Sequence, residues 1–372
     1  MDVDDRFMWM ALDLARQGRG RTSPNPVVGA VVTQDSEVVG SAYHQAAGSP
    51  HAETIALKKA GEKARGATLY VNIEPCSHHG RTGPCTEAII KAGITRVVAA
   101  MQDPNPLVSG RGFARLKEKG IKVKEGVLEH KARRLNESFI KYITTGYPFV
   151  GIKVAMSLDG KIGTVTGESH WITGEKSRQY VHRLRDQSDV ILSGIETVLS
   201  DDPRFTARVD SGGGKDPLRV IVDSSARLPI DARLIESSST AGTVLAVTEN
   251  ASPEKCRMLA NKGVEIITLP SKEGRVDLTA LMKKLAEREL TTVLVEGGGT
   301  LNYSLLEQSL VDKLFIFIAP LIIGGVKSPT AFSGTGIESL NKAWTVEDIE
   351  MKQFERDLLL IGYPTGPGKY RG

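Results

Sequence analysis

The sequence predicts an α/β protein with two domains. The chain has 372 residues, 40% hydrophobic and 25% charged, which is an ordinary globular composition but more than one hydrophobic core usually holds. Both halves alternate strand-like apolar runs with segments of helical spacing, as α/β folds do. Gly146-Tyr147-Pro148 interrupts the chain between the two patterns. We therefore expect domains over 1–146 and 147–372, with a linker at about 144–150.

The first half opens with a predicted amphipathic helix. Apolar residues have helical spacing from Phe7 to Ala15, behind the acidic Asp4 and Asp5, and Gly18 closes the segment. Further elements of this half are predicted as strands over 27–32, 38–40, 68–73 and 96–101, and helices over 52–60 and 132–144. The first two strands form a hairpin. The alternation that follows favours a three-layer α/β sandwich.

His51-Ala52-Glu53, Pro75-Cys76 and Pro84-Cys85 are the most informative motifs of this half. One imidazole and two thiols form an incomplete zinc shell, which is typical of a catalytic zinc that keeps a position for water. Zinc deaminases of bases and nucleosides have this pattern, with the Glu as a proton shuttle. We therefore predict His51, Cys76 and Cys85 as zinc ligands and Glu53 as the catalytic acid–base. The alternative is that these are ordinary buried or surface residues.

The two segments that carry these residues are expected to present helix N-termini to the metal. His51 and Glu53 lie at the first turn of a helix that ends at Gly61, and Pro75-Cys76 is predicted to open another helix after a strand. The positive ends of two helix dipoles would favour a thiolate at Cys76.

The segment between the two cysteines is longer than in deaminases that have Pro-Cys-x-x-Cys. Nine positions separate Cys76 from Cys85, and His78, His79 and Arg81 lie between them. Two histidines and an arginine beside the metal would suit an anionic part of the substrate, such as a phosphate. A solvated polar loop is the alternative.

The second half predicts a mostly parallel sheet with covered faces. It opens with a strand from Phe149, a Leu158-Asp159-Gly160 turn and a return strand to Ile162. Buried-type strands are then predicted over 218–223, 243–247 and 292–296. Gly297-Gly298-Gly299 joins the last strand to a helical stretch, so that backbone N–H groups could approach a pyrophosphate. By itself this glycine run is weak evidence, because tight turns also use glycine.

Composition narrows the classes of partner. The net charge is only +4, and the basic residues are scattered among acids, so nucleic acid is not required. No leader-like N-terminus and no apolar run of membrane-spanning length is found, which predicts a cytoplasmic protein with no membrane partner. Two of the three cysteines are assigned to zinc, leaving Cys256 as inert packing. A homo-oligomer is left open.

Four motifs together resemble a known family. Asn25-Pro26-Val27-Val28-Gly29, Pro50-His51-Ala52-Glu53, the stretch from Glu74 to Thr82 and Asp103-Pro104-Asn105-Pro106 look like the bacterial bifunctional riboflavin-biosynthesis deaminase/reductases. The likeness covers nearly the whole chain. It implies a cytidine-deaminase-like three-layer α/β/α domain followed by a dihydrofolate-reductase-like α/β domain. The family usually has Thr-Pro-Pro-Cys where this chain has Thr82-Gly83-Pro84-Cys85, which leaves the third ligand in place.

The resemblance also implies roles for individual residues, with one Zn²⁺ in the first domain and NADPH in the second. The positions matching cofactor contacts are Ala155, Trp171, Thr197, Asp201, Gly298, Gly299, Thr300, Leu301, Asn302, Tyr303 and Ser304. The positions matching substrate contacts are Asn25, His78, Arg81, Asn105, Ser169, Arg185, Phe205, Arg208 and Glu296. Family members more often have Leu at the position of Phe205.

Plainer interpretations of the reductase residues remain open at this stage. Trp171 could be a core residue, Arg185 part of a solvated helix face, and Asp201 a helix cap. Arg227, shortly after a strand end, is a candidate for binding the 2′-phosphate of NADPH, and a surface arginine is the equal alternative. Two arginines, an aromatic and a glycine-rich turn nevertheless suit a phosphorylated substrate beside a phosphate-rich cofactor.

The implied reaction has two steps on a small phosphorylated pyrimidine. The substrate, 2,5-diamino-6-ribosylamino-4(3H)-pyrimidinone 5′-phosphate, would first be hydrolytically deaminated, and its ribosyl group would then be reduced to ribityl by NADPH. Lys153 and Glu296 are both candidates for the proton donor of the second step.

Two alternative functions were weighed against this reaction. A polynucleotide or nucleoside deaminase with an accessory nucleotide-binding domain would need more aromatic surface than the 5% aromatic content offers. A non-enzymatic module with a structural zinc would leave Glu53 without a role.

Overall fold

The computed structural model describes residues 2–77, 83–106, 108–209, 212, 214–236, 239 and 241–366. The chain divides into two compact units, Met1–Tyr147 and Pro148–Gly372. The boundary expected from the sequence, 146/147, lies one residue earlier.

The first unit is a mixed α/β structure around a five-stranded sheet. Its helices are α1 (Val3–Arg16), α2 (Ala52–Ala60), α3 (Cys85–Lys91), α4 (Arg111–Glu118), α5 (Glu129–Leu135) and α6 (Glu137–Thr145). Its strands are β1 (Gly29–Gln34), β2 (Glu37–Tyr43), β3 (Thr68–Val71), β4 (Arg96–Ala99) and β5 (Lys122–Lys124). The strand order is β2-β1-β3-β4-β5, in which β3, β4 and β5 are parallel and β1 is antiparallel to both neighbours.

The core of this unit lies between the helices and the sheet. Phe7, Met8 and Leu12 of α1 are fully buried in one cluster with the apolar residues of β1, β3 and β4. Parallel β3 and β4 end side by side, so the segments that follow them meet at one edge of the sheet. That edge holds the candidate metal ligand Cys76 and the loop of Asn105.

The structure corrects two helix predictions in this unit. No helix begins at Pro75-Cys76: Cys76 lies in an irregular segment, and α3 begins at Cys85. The helix predicted over 132–144 is two helices, α5 and α6, which meet at Asn136. The Asn136 side chain accepts a hydrogen bond from Val27 N–H and donates one to Val27 O. Helical spacing alone does not reveal such a long-range contact.

The second unit is built on a nine-stranded sheet. Its strands are β6 (Phe149–Ser157), β7 (Val190–Gly194), β8 (Leu218–Val222), β9 (Thr243–Val247), β10 (Val264–Thr268), β11 (Ser271–Lys272), β12 (Arg275–Val276), β13 (Thr292–Val295), β14 (Lys313–Ala319), β15 (Thr345–Phe354) and β16 (Asp357–Thr365). Its helices are α7 (Glu175–Asp186), α8 (Ile195–Asp201), α9 (Arg233–Glu236), α10 (Pro253–Asn261), α11 (Leu278–Glu287) and α12 (Gly299–Glu307). The small β11–β12 hairpin forms a separate two-stranded sheet.

The large sheet is mostly parallel, as predicted. Its order is β10-β9-β8-β7-β13-β6-β14-β16-β15, parallel from β10 to β14 and antiparallel in the last two pairings. The predicted return strand to Ile162 is wrong, since only an isolated bridge joins Lys161 to Thr330. Asp159 instead accepts N–H bonds from Ile323 and Gly324, which turns the chain toward that later segment.

Candidate zinc centre and reductase site

The three predicted zinc ligands converge in the first unit. The ligand atoms of His51, Cys76 and Cys85 all lie within 4.8 Å of one another, with His51 Nδ1 3.1 Å from Cys85 Sγ and 3.6 Å from Cys76 Sγ. His51 is the N-cap residue of α2, Cys85 is the first residue of α3, and Cys76 lies in the segment after β3. One imidazole and two thiols at these separations fit a zinc ion with a remaining position for water.

The electrostatics of the cluster favour a thiolate at Cys76. Hydrogen bonding from the Cys85 thiol, together with His51, lowers the pKa of Cys76, whereas the neighbouring Cys76 and burial raise the pKa of Cys85. The backbone N–H of Cys85, at the start of α3, lies 3.3 Å from Cys76 Sγ. Two helix N-termini therefore do meet at the ligands, although the second begins at Cys85 rather than Cys76. The helix dipole and the exposed N–H groups stabilise negative charge there.

Glu53 lies beside the ligands without being one of the three. It is 3% exposed, and burial, with the neighbouring Cys76, raises its pKa above the ordinary carboxyl value. Among the residues that the structure describes, Glu53 Oε2 has no hydrogen-bond partner. A buried carboxyl oxygen without a partner is costly, and here it is available to a reacting group. This environment fits a residue that exchanges a proton with a reacting group.

A buried histidine that sequence reasoning missed connects Asn25 to the ligand His51. His44 is 2% exposed; its Nε2 lies 3.5 Å from Asn25 Nδ2 and its Nδ1 3.3 Å from Pro50 O. The His44 and His51 rings meet edge to face at 5.4 Å between centroids. Burial lowers the pKa of His44, which favours the neutral ring. No motif in the sequence marks this residue.

Two of the predicted substrate residues of this unit lie outside the described residues, His78 and Arg81. Asn105 lies in the loop after β4, where its carbonyl oxygen accepts N–H bonds from Val108 and Ser109. This loop is hydrogen-bonded to the buried Glu74, directly before Pro75. Sequence reasoning did not single out Glu74, although a charged residue between a buried strand and a metal ligand is a usable signal.

In the second unit, three charged residues from separate elements form one buried cluster. Glu296 follows β13, Lys153 lies on β6 and Arg185 lies on α7. Lys153 Nζ is 2.9 Å from Glu296 Oε2, and Arg185 donates from Nε to Oε1 at 2.5 Å and from Nη2 to Oε2 at 3.0 Å. The side-chain exposures are 17%, 14% and 5% for Lys153, Arg185 and Glu296. Arg185 is therefore not on a solvated helix face.

The charges of this cluster determine the protonation state of its carboxylate. Burial alone would raise the pKa of Glu296, but the adjacent Arg185 and Lys153 outweigh it and hold the pKa well below the ordinary value. His182, one turn before Arg185, has its pKa lowered to about 4 by burial and by Arg185 and Arg208. Its Nδ1 accepts the backbone N–H of Arg208 at 3.3 Å. A neutral His182 therefore holds the exposed Arg208 beside the cluster.

The glycine turn after β13 forms an open helix N-terminus. Gly298 is the N-cap of α12, and no side chain caps it. A Cβ built on Gly298 would lie 3.8 Å from Thr197 Oγ1, and one on Gly194 would lie 3.9 Å from Leu301. The starts of α8 and α12 therefore lie together at the carboxyl ends of the neighbouring parallel strands β7 and β13. Uncapped N–H groups at such an edge fit the pyrophosphate of a dinucleotide.

The predicted cofactor residues of α12 divide into accessible and structural groups. Gly298 borders open space, whereas a Cβ on Gly299 would lie 2.3 Å from Thr330 O. Asn302 is buried and donates to Ala331 O at 2.9 Å, and the Tyr303 hydroxyl donates to Gly336 O. Leu301 packs beneath Gly297. Thr300 and Ser304 lie on the same helix.

The remaining predicted residues of this unit are placed as follows. Trp171 is 67% exposed beneath the Arg178 guanidinium at 4.6 Å, so it is not a core residue. Ser169 donates from Oγ to Asp201 Oδ1 at 2.9 Å, which joins a predicted substrate residue to a predicted cofactor residue. Ala155 lies on β6, two residues after Lys153.

Phe205 is more buried than its predicted role suggests, whereas Arg227 is an exposed residue with an acidic partner. Phe205 is 4% exposed and lies in the core. Its ring centroid is 6.0 Å from the Arg185 guanidinium, so its side chain packs against Arg185. Arg227 is bonded to Glu196, the residue before Thr197, at 2.6 Å.

The comparisons with known proteins cover both units. The cytidine and deoxycytidylate deaminase zinc-binding region matches residues 1–101, and the RibD C-terminal domain matches residues 148–360. Riboflavin biosynthesis protein RibD of Aquifex aeolicus is 42% identical over 97% of this chain and 98% of that protein. RibD of Escherichia coli is 43% identical over 86% of this chain and 89% of that protein.

Solved structures agree over the full length. RibD of Acinetobacter baumannii has a TM-score of 0.85 at 37% identity, covering 98% of this chain and 99% of that one. The diaminohydroxyphosphoribosylaminopyrimidine deaminase/5-amino-6-(5-phosphoribosylamino)uracil reductase of Thermotoga maritima has a TM-score of 0.82 at 36% identity, with the same coverage. The fold is thus a cytidine-deaminase-like domain followed by a dihydrofolate-reductase-like domain, with a zinc-binding region and a reductase domain of the NADPH-using type. The chain belongs to the family of bifunctional riboflavin-biosynthesis deaminase/reductases.

Proposed function

We propose that residues 1–146 deaminate 2,5-diamino-6-ribosylamino-4(3H)-pyrimidinone 5′-phosphate and that residues 147–372 reduce its ribosyl group. The observation that carries the first half is the cluster of three ligand atoms within 4.8 Å beside a buried carboxyl with an unpartnered oxygen. A zinc ion held by His51, Cys76 and Cys85 would acidify a water molecule. Glu53 would carry the proton of that water to the departing ammonia, because its buried carboxyl lies beside the ligands with one oxygen unpartnered among the described residues.

Asn25 and Asn105 are proposed to orient the pyrimidine, and the segment with His78 and Arg81 to bind the 5′-phosphate. The contact of Asn25 with His44, which itself packs on His51, supports a position for Asn25 at the metal site. The hydrogen bonds between the loop of Asn105 and Glu74 support the same for Asn105.

For the reductase step, we assign the proton donor to Lys153. NADPH supplies a hydride to C1 of the opened ribosylamino group. Glu296 is held ionised between Arg185 and Lys153, so it has no proton to donate, and Lys153 is the remaining candidate. Glu296 is assigned instead to hold Lys153 and to contact the sugar. Arg185, Arg208 and Ser169 would bind the phosphorylated sugar, with Phe205 supporting Arg185.

The cofactor is proposed to lie along the carboxyl edge of the sheet. Its pyrophosphate would meet the start of α12 at Gly298, which Thr197 faces, while the buried Gly299, Leu301 and Asn302 support this turn. Ala155, Trp171 and Asp201 would line the nicotinamide side. Trp171 supports this assignment because the residue remains 67% exposed, although Arg178 and His170 both contact the ring.

We further propose a cytoplasmic homo-oligomer. The paired thiols Cys76 and Cys85 bind metal only when reduced, which favours a reducing compartment. Among the described residues, no helix is long and apolar enough to cross a membrane.

Strand β15 lies at the edge of the large sheet and exposes Val346, Ile349 and Met351 at 38%, 62% and 67%, which is typical of a strand that another copy covers. The mass in solution, measured by light scattering, tests this.

The proposed function is tested by supplying the diamino precursor to the zinc-loaded protein with and without NADPH and identifying products by mass. Without NADPH we expect ammonia and the deaminated ribosylamino compound. With NADPH we expect the ribitylamino product. Cytidine and single-stranded DNA should release no ammonia. Deamination of either one in preference to the precursor would contradict the proposal.

A further inference from the structure

Glu74 occupies an unusual position between the metal site and the loop that carries Asn105. Its side chain is buried, with 3% of the residue exposed, and it is two residues before the ligand Cys76. Its carboxylate accepts four backbone N–H bonds: Oε2 from Asp103 at 3.1 Å and Gly110 at 2.9 Å, and Oε1 from Gly112 at 2.8 Å and Phe113 at 3.2 Å. All four donors belong to the segment between β4 and the first turn of α4.

These bonds replace the missing cap of α4. Its N-cap residue is Gly110, in the left-handed region with φ of 77° and without a side chain to accept an N–H bond. The first N–H groups of a helix need an acceptor from elsewhere when they are buried. A carboxylate also interacts favourably with the positive end of the helix dipole. Glu74 therefore anchors the start of α4 from a different part of the chain.

The backbone is packed closely at the same place. A Cβ on Gly112 would lie 2.1 Å from Pro75 O and 3.1 Å from Glu74 Oε1, so α4 approaches the segment 74–76 closely enough to admit only glycine. Within the loop, Asp103 Oδ1 accepts the N–H of Asn105 at 2.9 Å. Asp103 N–H in turn donates to Glu74. A continuous chain of hydrogen bonds thus runs from Glu74 through Asp103 to Asn105.

We propose that Glu74 is a positioning residue for deamination. It fixes the loop of Asn105 relative to the segment of Cys76, so that Asn105 holds the substrate in the correct position relative to the metal. This inference rests on the proposed deaminase function and on the role of Asn105 in it. Both oxygens of Glu74 already accept backbone N–H bonds. Its effect on the reaction passes through Asn105.

The test is a double-mutant cycle on the full, zinc-loaded chain with Glu74→Gln and Asn105→Ala. The Gln side chain has the same size as the Glu side chain, but one of its two oxygens is replaced by an NH₂ group. That group cannot accept the two N–H bonds that the replaced oxygen accepted. We expect Glu74→Gln to retain one zinc and to raise the KM for ammonia release roughly tenfold, as for the loss of buried hydrogen bonds to a charged group. Glu87→Gln on α3 is the matched control, because Glu87 is an exposed partner of Arg115, and it should leave the KM unchanged.

The cycle distinguishes positioning from general destabilisation. If Glu74 acts through Asn105, Glu74→Gln adds little in the Asn105→Ala background. Fully additive effects, an unchanged KM, or zinc loss in both Glu74→Gln and the charge-retaining Glu74→Asp would overturn the inference. If Glu74→Gln alone loses zinc, the cycle is completed with Glu74→Asp, and the same criteria apply. Failure of the wild type to release ammonia would instead reject the proposed function, and a neutral Asn105→Ala would reject the role of Asn105 and this inference with it.

Discussion

Glu53 and Glu296 are both buried carboxyl residues, and their neighbours move their pKa values in opposite directions. Burial and the adjacent Cys76 raise the pKa of Glu53. Two cations outweigh burial at Glu296 and lower its pKa. Pairs of groups separated in this way mark acid–base roles. The environment of Glu53 therefore favours the protonated carboxyl, and that of Glu296 favours the carboxylate.

The role of Glu53 leads to the first prediction. Glu53→Gln should retain zinc while the rate of deamination falls by roughly 10² to 10⁴, because the side chain keeps its shape but no longer transfers a proton. Metal analysis and ammonia release are measured on the same sample, with the exposed Glu62→Gln as control. Loss of zinc in the variant would mean that Glu53 is a ligand.

Lys153 leads to the second prediction. Lys153→Met should lower sugar reduction by roughly 10² to 10⁴ and leave ammonia release unchanged, because the variant removes the proposed proton donor of the second unit only. Conversion of the deaminated intermediate is followed through NADPH absorbance. Lys176→Met, at an exposed position of α7, is the control. Near-normal reduction would mean that another group, or water, donates the proton.

At the scale of elements, buried polar contacts join segments distant in the chain. Asp4 of α1 accepts hydrogen bonds from Arg96 at 2.8 and 2.7 Å, from Lys124 at 2.6 Å and from the Tyr70 hydroxyl at 2.9 Å. One carboxylate thus joins α1 to β3, β4 and β5. The sequence analysis used Asp4 only as an acidic residue near a helix start.

The third prediction concerns the pH dependence of this junction. Arg96, outweighing the effect of burial, lowers the pKa of Asp4 in the folded state, so the stabilisation is present above the unfolded-state pKa of about 4 and is lost as pH falls toward the folded value. Asp4→Asn should destabilise the first unit by about 1–3 kcal/mol at pH 7, after allowing for the partial exposure of both cations. Amide hydrogen exchange of β3 and β4 measures this. The difference from wild type should shrink at pH 3, and an undiminished difference there would contradict the linkage.

The fourth prediction concerns the start of α12. At Gly298 a Cβ would lie at an ordinary contact distance of 3.8 Å from Thr197 Oγ1, whereas at Gly299 it would collide with Thr330 O. Gly298→Val should therefore fold and weaken NADPH binding at least roughly tenfold by blocking the helix N-terminus, with normal ammonia release. Fluorescence titration of NADPH is the measurement. Wild-type affinity would mean that these glycines serve only the turn.

At the scale of the whole molecule, each unit has its own sheet and core. The three candidate zinc ligands lie in the first unit, and the ion-paired Lys153 and Glu296 lie in the second. Domains with separate cores can in principle fold alone.

The fifth prediction is that the two activities are separable. A fragment ending near Thr145 should bind zinc and deaminate without NADPH, and a fragment beginning near Tyr147 should reduce the deaminated intermediate without zinc. Steady-state assays of each fragment, alone and mixed, are the measurement. Folded fragments that are active only when mixed would show that the sites share residues.

The sequence alone determined the zinc ligand set, the parallel sheet and the family. His51, Cys76 and Cys85 can be identified from their residue types and motifs, whatever the conformation of the segment between the two cysteines. Buried parallel strands can be identified from their nearly continuous apolar composition. It did not determine where the helix after β3 begins, because Pro75-Cys76 has the local features of a helix start and only the packing of the chain places that start at Cys85.

Only the tertiary structure decided which charges meet. Glu296 lies 111 residues from Arg185 along the chain, and Glu74 lies 38 residues from Gly112. Local periodicity records which face of an element is buried, but not which distant carboxylate faces which cation or helix end. That pairing depends on strand order and register. The resulting burial and charge give Glu296, Glu53 and Glu74 three different environments, although all three are the same amino acid.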